Sequence, residues 1–557
     1  MIILRKIALV LSLLTVFLTS CKKNNTSKPP DNRTPFSLVT SYIGDTVYRL
    51  GLYNINRNPV IKLTFSAPVD RSSVPTSIAF SGGGVEVPAN YSYSNGDTSI
   101  VIEPTDTLKT LTTFYINVST GLKSANDSML KSNIALSFIT AIDSTAKFPP
   151  ISDSALLTLV EQQTFNYFWA NGDPTSGMAK ERASQSQVTT GGSGFGIMAM
   201  LVAVQRNFIT RTDALNRITT IVDFLTNKAS TYHGAFSHWI NGSTGATIPF
   251  STQDNGGDIV ETSYMMQGLL CARQYFNSTT DPAEISLRTA INALYNNVNW
   301  NWYRQSGQNV LYWNWSPNYN FAINVQVQGW CEALITYVLA ASSPVDSFAI
   351  PKVVYDNGWA RNGGMKNGNS YFGITLPLGP TEGGPLFFAH YSFLGINPNG
   401  LSDAYANYWT QDTAQARINY LYCVSNPGKF NGYSSSCWGL TASDEQNGYS
   451  AHAPTNDDGV ISPTAAISSL PYTPTESMNA LRFFYYTLGD KIWGQYGFID
   501  AFNLSSVWFD NDYLAIDQGP EIVMIENYRS GLLWNLFMSC PEVQQGMKNL
   551  GFSGPNL

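Results

Sequence analysis

The chain has 557 residues, which is too long for one ordinary domain and suggests two to four. Hydrophobic residues make up 43%, enough for a large core, whereas charged residues and aromatic residues make up only 13% each. This composition favours a secreted protein that handles neutral polar ligands such as sugars, although a large aromatic core would explain it too. The net charge of −7, with no basic run beyond Lys22-Lys23, argues against nucleic acid as a partner.

The N-terminus has the pattern of a secretory signal. Arg5 and Lys6 precede an apolar stretch from Ile7 to Leu18 that is too short to span a membrane. The following Leu18-Thr-Ser-Cys21 resembles a bacterial lipobox, so we expect residues 1–21 to be a lipoprotein signal, with Cys21 as the lipidated residue. An ordinary signal peptide with an incidental cysteine is the alternative.

Residues 22–34 are polar and contain proline, which is typical of a tether. The signal and tether together predict a protein of the bacterial cell envelope, at the outer membrane and periplasm or at the cell surface. We expect the lipid to be its only membrane contact.

Five cysteines follow the signal, at positions 271, 331, 423, 437 and 540. Their odd number and wide spacing are not those of a disulfide framework, and no pair has the spacing of zinc ligands. A bridge between Cys423 and Cys437 stays open, and buried thiols are expected otherwise. We expect no metal and no cofactor.

A β pattern occupies residues 35–142. Ile61, Leu63 and Phe65 alternate with polar residues, and short apolar runs at 99–102, 114–118 and 134–138 follow. Short strands at this spacing predict a small all-β sandwich. The runs NPVIKLTFSAPVD and TFYINVSTGLKSANDSML resemble bacterial Ig-like domains. Because the region has no cluster of acids, histidines or cysteines, we interpret it as a spacer or docking module.

A linker at 143–152 leads into a helical region that runs from 153 to 557. The apolar spacing there predicts about ten to twelve helices and no convincing strand. The candidate helices are 153–170, 194–206, 211–228, 258–275, 284–298, 324–341, 384–395, 411–424, 474–487 and 519–537. Long loops rich in aromatic residues join them, which favours an all-α (α/α)-type toroid with a functional mouth. A helical solenoid is disfavoured, since no repeat has a fixed period.

A cluster of acids lies where one loop enters a helix. Asp254, Asp258 and Glu261 fall within eight residues around Gly256-Gly257, just before an apolar helical run. They could share one pocket. Alternatively, Asp258 and Glu261 could form only a capping box, which any helix can use.

The loops also carry side chains suited to sugar binding. Aromatic rings stack on sugar faces, polar side chains bridge hydroxyls, and a pair of acids can cleave a glycosidic bond. Any single tryptophan is more often a core residue, but their concentration in these loops favours binding. The candidate substrate-binding residues are His238, Trp239, Trp313, Trp315, Tyr319, Trp330, Trp438, Asp444 and Arg529.

Several motifs, in order from about 153 to 550, resemble the bacterial glucoamylase-like domain. They include TFNYFWANGDPTSGMAKER, STQDNGGDIVETSYMMQGLL, GWCEALITYVLAASSP and YLAIDQGPEIVMIENYRSGLLW. More narrowly, they are similar to endo-β-1,2-glucanases of glycoside hydrolase family 144. The resemblance implies an (α/α)6 barrel that hydrolyses β-1,2-glucan with inversion and without metal. Cys331 and the Ig-like domain depart from the family pattern.

The resemblance also implies roles for individual residues. The acids of the DNGGDIVE motif fall on Asp254, Asp258 and Glu261, and the acid of the GWxEAL motif falls on Glu332. We carry the general acid onto Glu332 and the general base onto Asp517. The expected partner is a glucan polysaccharide or oligosaccharide, and we expect a monomer.

Three alternatives stay open. An exo-acting hydrolase of the same fold that releases sophorose would share every motif, because the linkage and the endo or exo mode cannot be derived from the residues. A non-catalytic glycan-binding surface lipoprotein would need aromatics but no buried acids. A polysaccharide lyase would need basic residues in its cleft, whereas these loops are acidic and aromatic.

Overall fold

The computed structural model describes residues 35–557. The predicted signal, the tether and Cys21 lie outside the described residues. The chain divides into two compact units. One contains Pro59–Thr105, Tyr115–Leu136 and the residues up to Tyr48, and the other contains Arg49–Asn58, Asp106–Phe114 and Ser137–Leu557.

Ten strands and one short helix account for the β region. The strands are β1 Leu38–Ile43, β2 Thr46–Val47, β3 Leu52–Ile55, β4 Ile61–Phe65, β5 Ile78–Gly82, β6 Val85–Glu86, β7 Ala89–Ser94, β8 Ser99–Pro104, β9 Thr113–Val118 and β10 Ile134–Thr140, and the helix is α1 Val74–Ser77. One five-stranded sheet has the antiparallel order β2-β1-β4-β8-β7, and the other has the order β3-β10-β9-β5-β6. In β4, Ile61, Leu63 and Phe65 are buried and the two residues between them are not, so the predicted alternation is confirmed.

Fourteen α-helices follow, some of them a single turn. They are α2 Asp153–Ala170, α3 Thr190–Gln205, α4 Arg211–Asn227, α5 Ile259–Tyr275, α6 Pro282–Asn297, α7 Leu334–Ala341, α8 Lys352–Val354, α9 Tyr408–Ser425, α10 Pro463–Ser468, α11 Pro474–Arg482, α12 Gly489–Ile492, α13 Ala515–Ser530, α14 Leu532–Met538 and α15 Pro541–Leu550. Among the described residues, no helix is both long and apolar enough to cross a membrane.

The helices alternate between deeply buried and one-sided along the chain. Nearly every residue of α3, α5, α7 and α10 is buried. In α4 and α6, which alternate with them, the buried residues recur every three or four positions and form one face. α3 and α5 pack so closely that a Cβ at Gly194 would lie 2.1 Å from the backbone oxygen of Tyr264. The alternation indicates an inner and an outer layer of helices.

Three helix predictions need correction. The segment predicted as helix 324–341 begins its helix only at Leu334, because Gln326–Val327 instead pairs with Leu311–Tyr312 as a strand. The segment 384–395 forms two short 3-10 turns, Leu386–Ala389 and Tyr391–Leu394. The segment 519–537 is two helices, since Gly531 adopts a left-handed conformation between them.

The expectation that the helical region has no strands is wrong. Short antiparallel pairs tie its loops together. They are Val188–Thr189, Trp239–Ile240 and Thr247–Ile248 in one sheet, then Thr231–Tyr232 with Ala235–Phe236, Gly257–Asp258 with Asn314–Trp315, Leu311–Tyr312 with Gln326–Val327, Ser370–Tyr371 with Ile374–Thr375, Ala442–Glu445 with Gly448–Ala451, Trp493–Gly494 with Gly497–Phe498, and Phe502–Asn503 with Trp508–Phe509.

The cysteines of the described residues are all free thiols. The bridge left open between Cys423 and Cys437 is therefore not formed, although both side chains are buried. Cys271 and Cys540 are also buried, and Cys331 is half-buried.

Candidate active site

Asp258 holds the junction between the acid-rich loop and α5. It is 1% exposed, and its Oδ1 accepts hydrogen bonds from the backbone N–H groups of Val260 and Glu261, both at 2.9 Å. Its Oδ2 accepts a hydrogen bond from Trp313 Nε1 at 3.2 Å and lies 3.5 Å from His238 Nδ1. Asp258 therefore caps the helix and also orients two side chains predicted to bind substrate.

Glu261 does not complete a capping box with Asp258. Its Oε2 instead accepts a hydrogen bond from the backbone N–H of Gly191 at 2.7 Å, in the first turn of α3. A Cβ at position 191 would lie 2.6 Å from this oxygen, so the contact requires a glycine. Burial raises the pKa of Glu261 to about 7, although the charge of His238 opposes the increase. Capping alone therefore does not account for Glu261.

His238 lies among these acids as a cation. Burial lowers its pKa, but the charges of Glu261 and Asp258 outweigh burial and raise the pKa to about 10. The imidazolium partly neutralises two buried carboxylates, which explains how they can lie close together.

Asp254 lies in the loop before Asp258. Its Oδ2 accepts a hydrogen bond from Asn314 Nδ2 at 3.0 Å. Burial, with a contribution from the charge of Asp258, raises the pKa of Asp254 to about 6. The strand pairs Gly257–Trp315 and Asp258–Asn314 fix this loop against the aromatic loop that follows α6.

Glu332 lies just before the first turn of α7. Ser392 Oγ donates a hydrogen bond to its backbone oxygen, which anchors the residue to the second 3-10 turn. Burial, with a contribution from the charge of Asp258, raises the pKa of the half-buried Glu332 carboxyl to about 7. A carboxyl with this pKa is substantially protonated at neutral pH, as a general acid must be.

A second group of acids surrounds Asp517, in the first turn of α13. Asp517 is 4% exposed and Asp500 is fully buried. The backbone N–H of Asp444 donates a hydrogen bond to Asp500 Oδ2 at 2.7 Å, and Arg182 Nη1 donates one to Asp444 Oδ2. Arg182 also lies over the ring of Tyr449.

Asp500 and Asp517 form a coupled pair of carboxyls. Burial raises the pKa of Asp517 to about 7, and a hydrogen bond from Asp500 lowers it in part. Burial, together with the charges of Asp517 and Asp444, raises the pKa of Asp500 well above its usual range. These directions indicate that Asp500 is the protonated member of the pair and that its O–H donates a hydrogen bond to the carboxylate of Asp517.

Tyr391 links the two groups. Burial raises its pKa, and the charges of both Asp517 and Glu332 contribute to the increase. Its ring lies 5.7 Å from that of Tyr264, and within the described residues neither phenolic oxygen has a hydrogen-bond partner. Glu181 acts on the pKa values of both Glu261 and Asp517. Acids from three helix starts and from the loops between the helices thus lie around polar atoms that suit a hydroxyl-rich ligand.

Two family models match the chain. The one described as "Putative glucoamylase" matches residues 324–541, and the one described as "Bacterial Ig-like domain" matches residues 33–140. The solved structure of an endo-β-1,2-glucanase from Chitinophaga pinensis is 50% identical, with a TM-score of 0.71, and the match covers 73% of this chain and 100% of that chain. The chain belongs to the glucoamylase-like family.

Two further relatives are also similar to this chain. The structure of a β-1,2-glucanase from Parabacteroides distasonis is 36% identical, covers 92% of this chain and 73% of that chain, and has a TM-score of 0.70. An exo-β-1,2-glucooligosaccharide sophorohydrolase (non-reducing end) from Parabacteroides distasonis is 45% identical over 424 residues, or 72% of this chain. The chain spans about 58% of the length of that curated relative. The resemblance inferred from the motifs is confirmed, including the Ig-like domain.

Aromatic residues predicted to bind substrate lie beside the acids of the glucoamylase-like domain. Trp239 packs on Phe250 with ring centroids 4.7 Å apart, and its Nε1 has no partner in the described part of the chain. Trp315 is half-buried, and Tyr319 is 42% exposed. Their contacts with a sugar stay predictions.

Two other candidate binding residues have structural contacts instead. Trp438 is fully buried, and its Nε1 faces the backbone oxygen of Glu476 at 3.4 Å. Arg529 donates hydrogen bonds to Glu161 and to Thr158 Oγ1. These contacts do not favour substrate binding by Trp438 or Arg529, and a sugar contact at either residue stays a prediction.

Trp330 occupies an intermediate position. Its ring is only 4% exposed, and its Nε1 donates a hydrogen bond to Gln415 at 2.7 Å. It nevertheless lines a cavity of about 300 Å3 together with Gly379 and Phe388. A sugar contact at Trp330 stays a prediction.

Sequence reasoning missed five residues of the site: Glu181, Arg182, Tyr264, Tyr391 and Asp500. Asp500 had a detectable signal, because it is a single acid between apolar neighbours, Ile499 and Ala501. Tyr264 and Tyr391 had none, since buried tyrosines are common in so aromatic a chain.

Two groups of side chains in the described region have the spacing of cation ligands. They are Glu445, His452 and Asp458, and Asp444, Asp500 and Asp510. In the second group, Arg182 already supplies a positive charge to Asp444. The second group lies beside the predicted base, Asp517. The Arg182 guanidinium therefore helps to balance the negative charge of the acids there.

Proposed function

We propose that the chain hydrolyses β-1,2-linked glucan by an inverting general acid–base mechanism. The observation that carries this proposal is that Glu332 and Asp517, at the starts of two different helices, both lie near the buried Tyr391. Ser392, the residue after Tyr391, donates a hydrogen bond to the backbone oxygen of Glu332, and the charges of both acids add to the effect of burial on the pKa of Tyr391. Two separated carboxyls beside unpaired hydroxyls provide the acid and the base that glycoside hydrolysis needs. The relatives named above supply the linkage.

In this mechanism Glu332 donates its proton to the glycosidic oxygen as the bond to the anomeric carbon breaks. Asp517 accepts a proton from the water that attacks the opposite face of the same carbon. Inversion needs space for that water, so we expect the two carboxyls to lie roughly 6.5–9.5 Å apart or more. Asp500 supports the base, because the hydrogen bond that it donates favours the ionised form of Asp517.

Asp254, Asp258 and Glu261 contribute charge and orientation. The charge of Asp258 favours the protonated form of Glu332, and the imidazolium of His238 balances Asp258 and Glu261. Glu261 and Asp254 are available to bind sugar hydroxyls.

We also propose that the helices close into an (α/α)6 barrel that spans 153–557. The alternation of fully buried and one-sided helices supports this architecture, because such a barrel has an inner and an outer ring. The division into a signal at 1–21, a tether at 22–34, a sandwich at 35–142 and a linker at 143–152 stays a prediction.

The experiment that tests the function is product analysis. Wild-type protein is incubated with β-1,2-glucan, β-1,3-glucan and β-1,4-glucan, and new reducing ends are measured. We expect cleavage of β-1,2-glucan only, with the α-anomer formed first in NMR spectra. No release of reducing ends would favour a non-catalytic binding protein, and absorbance of an unsaturated uronate from acidic polysaccharides would indicate a lyase.

The exo alternative has specific support, because the relative that is 45% identical releases sophorose from the non-reducing end. The same incubation separates the two modes. An endo enzyme produces a ladder of oligosaccharides and lowers the mean chain length early. An exo enzyme produces sophorose alone while the remaining chains stay long.

We further propose that the protein is anchored in the cell envelope through a lipid on Cys21. The motif Leu-Thr-Ser-Cys supports the proposal. Cys21→Ala should release active protein from the membrane fraction. Retention of this variant in membranes after a high-salt wash would contradict the anchor.

A further inference from the structure

A cavity on the aromatic loop after α6 lies outside the region where the acids meet. We define it as the Trp302 pocket. It has a volume of about 280 Å3 and is lined by Asn299, Asn301, Trp302, Ser306, Gly307 and Phe321. None of these side chains carries a charge.

The sequence holds Trp302 at the surface. Residues 300–304 form a 3-10 helix, in which positions three apart share a face. Trp300 and Tyr303 are three apart and fully buried, and Tyr303 donates a hydrogen bond to the backbone oxygen of Tyr232 at 2.8 Å. Trp302 lies outside that buried face, and its side chain is 41% exposed.

One face of the Trp302 ring is covered. His233 stacks on it with ring centroids 3.7 Å apart and an interplanar angle of 19°. Burial lowers the pKa of His233, which favours the neutral imidazole, and a neutral ring suits an aromatic stack. Because Trp302 lines the cavity and is partly exposed, its other face is the one available to a ligand.

The wall of the Trp302 pocket is rigid. Arg304 donates hydrogen bonds to the backbone oxygens of Gln308 and Gly307, both at 2.8 Å, and to Asn301 Oδ1 at 2.9 Å. These bonds fix a loop in which Gln305, Ser306 and Gly307 have φ values of 44°, 68° and 84°. A pocket that is already formed costs little ordering on binding.

The Trp302 pocket also offers polar groups. The Oδ1 of Asn299 accepts from the backbone N–H of Trp302 at 3.0 Å, and the Oδ1 of Asn301 accepts from Arg304. Within the described residues, the amide nitrogen of neither asparagine donates a hydrogen bond. Two amide donors, a hydroxyl and a flat aromatic face, without charge, match a neutral sugar ring better than a phosphate or an ionic peptide.

The pocket is connected to the acids through Trp315. The rings of Trp302 and Trp315 are 6.3 Å apart, and Trp315 pairs with Gly257, the residue before Asp258. A glucan that occupies the acid region and extends past Trp315 would meet Trp302 next.

We propose that the Trp302 pocket binds one glucosyl unit of a long glucan chain, away from the bond that is cleaved. The inference rests on the proposed function. The volume is slightly below the roughly 300 Å3 at which pockets for drug-sized ligands begin, so it suits a single ring. Binding at a remote unit stabilises the enzyme–substrate complex and the transition state equally, so it lowers KM without changing kcat.

The test compares Trp302→Ala with wild type in the full chain, on long β-1,2-glucan and on the trisaccharide. On long glucan KM should rise about tenfold, the change for about 1.4 kcal/mol, with kcat within about twofold. On the β-1,2-linked trisaccharide, KM and kcat of Trp302→Ala should equal those of wild type. Trp302→Tyr, which keeps an aromatic face, should recover most of the affinity. Tyr528→Ala, which removes an aromatic ring that is 45% exposed and outside the pocket, is the matched control.

An unchanged KM of Trp302→Ala on long glucan would overturn the inference. Equal losses on long and short substrates, together with a lower Tm, would also overturn it, because they indicate a structural role. If wild type cleaves none of the glucans, the proposed function fails, and calorimetry then tests the pocket separately. Neutral gluco-oligosaccharides should bind wild type about tenfold more tightly than Trp302→Ala, and equal binding would refute the pocket.

Discussion

Replacing Glu332 by glutamine should reduce activity and increase stability in the same variant. Glutamine keeps the size of the side chain but cannot donate the proton to the leaving oxygen. General acid catalysis is worth about 100-fold to 10,000-fold, so kcat/KM on glucan should fall within that range.

The stability effect follows from the raised pKa. The pKa of Glu332 is about 7 in the folded protein, against an ordinary value of 4.5. The folded state therefore binds the proton more tightly than the unfolded state, and it loses stability as pH rises from 4.5 through 7. Glutamine avoids that loss. At about 1.36 kcal/mol per pKa unit, the gain at pH 8 is at most about 3 kcal/mol, and less because the side chain is half-buried.

Two measurements test this prediction. Chemical denaturation at pH 4.5 and pH 8 should show a more stable variant only at pH 8. Hydrolysis should be measured on glucan and on an aryl β-sophoroside, whose good leaving group needs little protonation and should recover part of the rate. Asp490→Asn, which removes a carboxylate that is 42% exposed, should change neither property appreciably and is the control.

The prediction also has a pH dependence. In wild type, kcat/KM should fall as pH rises through about 7, because the acid loses its proton. If Glu332→Gln keeps more than about a tenth of kcat/KM on glucan, a loss under about 1.4 kcal/mol, Glu332 is not the acid. The role should then be sought at Glu261. Equal stability gains at both pH values would show that the pKa is not raised.

Three further predictions test the rest of the site. Glu261→Gln should fold normally and lose at least about tenfold in kcat/KM, and a fully active variant would leave Glu261 only a structural role. Asp258→Ala should also lose activity, and it should lower the free energy of unfolding by about 1 kcal/mol because the cap of α5 is lost. Asp500→Ala should shift the acidic limb of the pH profile of kcat/KM to higher pH, because Asp517 loses a hydrogen bond that lowers its pKa. Asp500→Asn should not shift it, since the amide still donates a hydrogen bond. Identical profiles for Asp500→Ala and wild type would contradict the pairing. Arg529→Ala should lower the free energy of unfolding by about 1–3 kcal/mol, because the buried Glu161 loses one hydrogen-bonded partner and keeps only the charge of Arg206. The variant should keep kcat/KM near wild type in the folded fraction, and a selective loss of kcat/KM would place Arg529 in the site.

Local patterns were sufficient for much of the fold. The helix predicted at 153–170 is α2 with the same bounds, because Ser152 caps it and its apolar spacing is regular. The helix predicted at 324–341 began too early, because Gln326 and Val327 pair with Tyr312 and Leu311 as a strand. These partners lie more than ten residues away, and a local pattern does not contain them.

The site was predictable in part for the same reason. The acids at 254, 258 and 261 could be found because they are adjacent in sequence and belong to a motif. Tyr391 and Asp500 act through neighbours that are distant along the chain, and only folding brings them together. Trp438 could not be told from a binding residue, because a loop position does not reveal whether a side chain is buried, and the partner of Arg529, Glu161, is more than 300 residues away along the chain.

Four acids of the site lie where helices begin: Asp258 and Glu261 at the start of α5, Glu332 just before α7, and Asp517 in the first turn of α13. The contacts between helices are made further along each helix, by residues such as Gly194 and Gly268. The loops that precede these helices can therefore change in length or sequence without removing a helix–helix contact. A scaffold of this kind lets substrate preference diverge among relatives while the acids at the helix starts stay in place, and loop exchange is the natural route to re-engineer it.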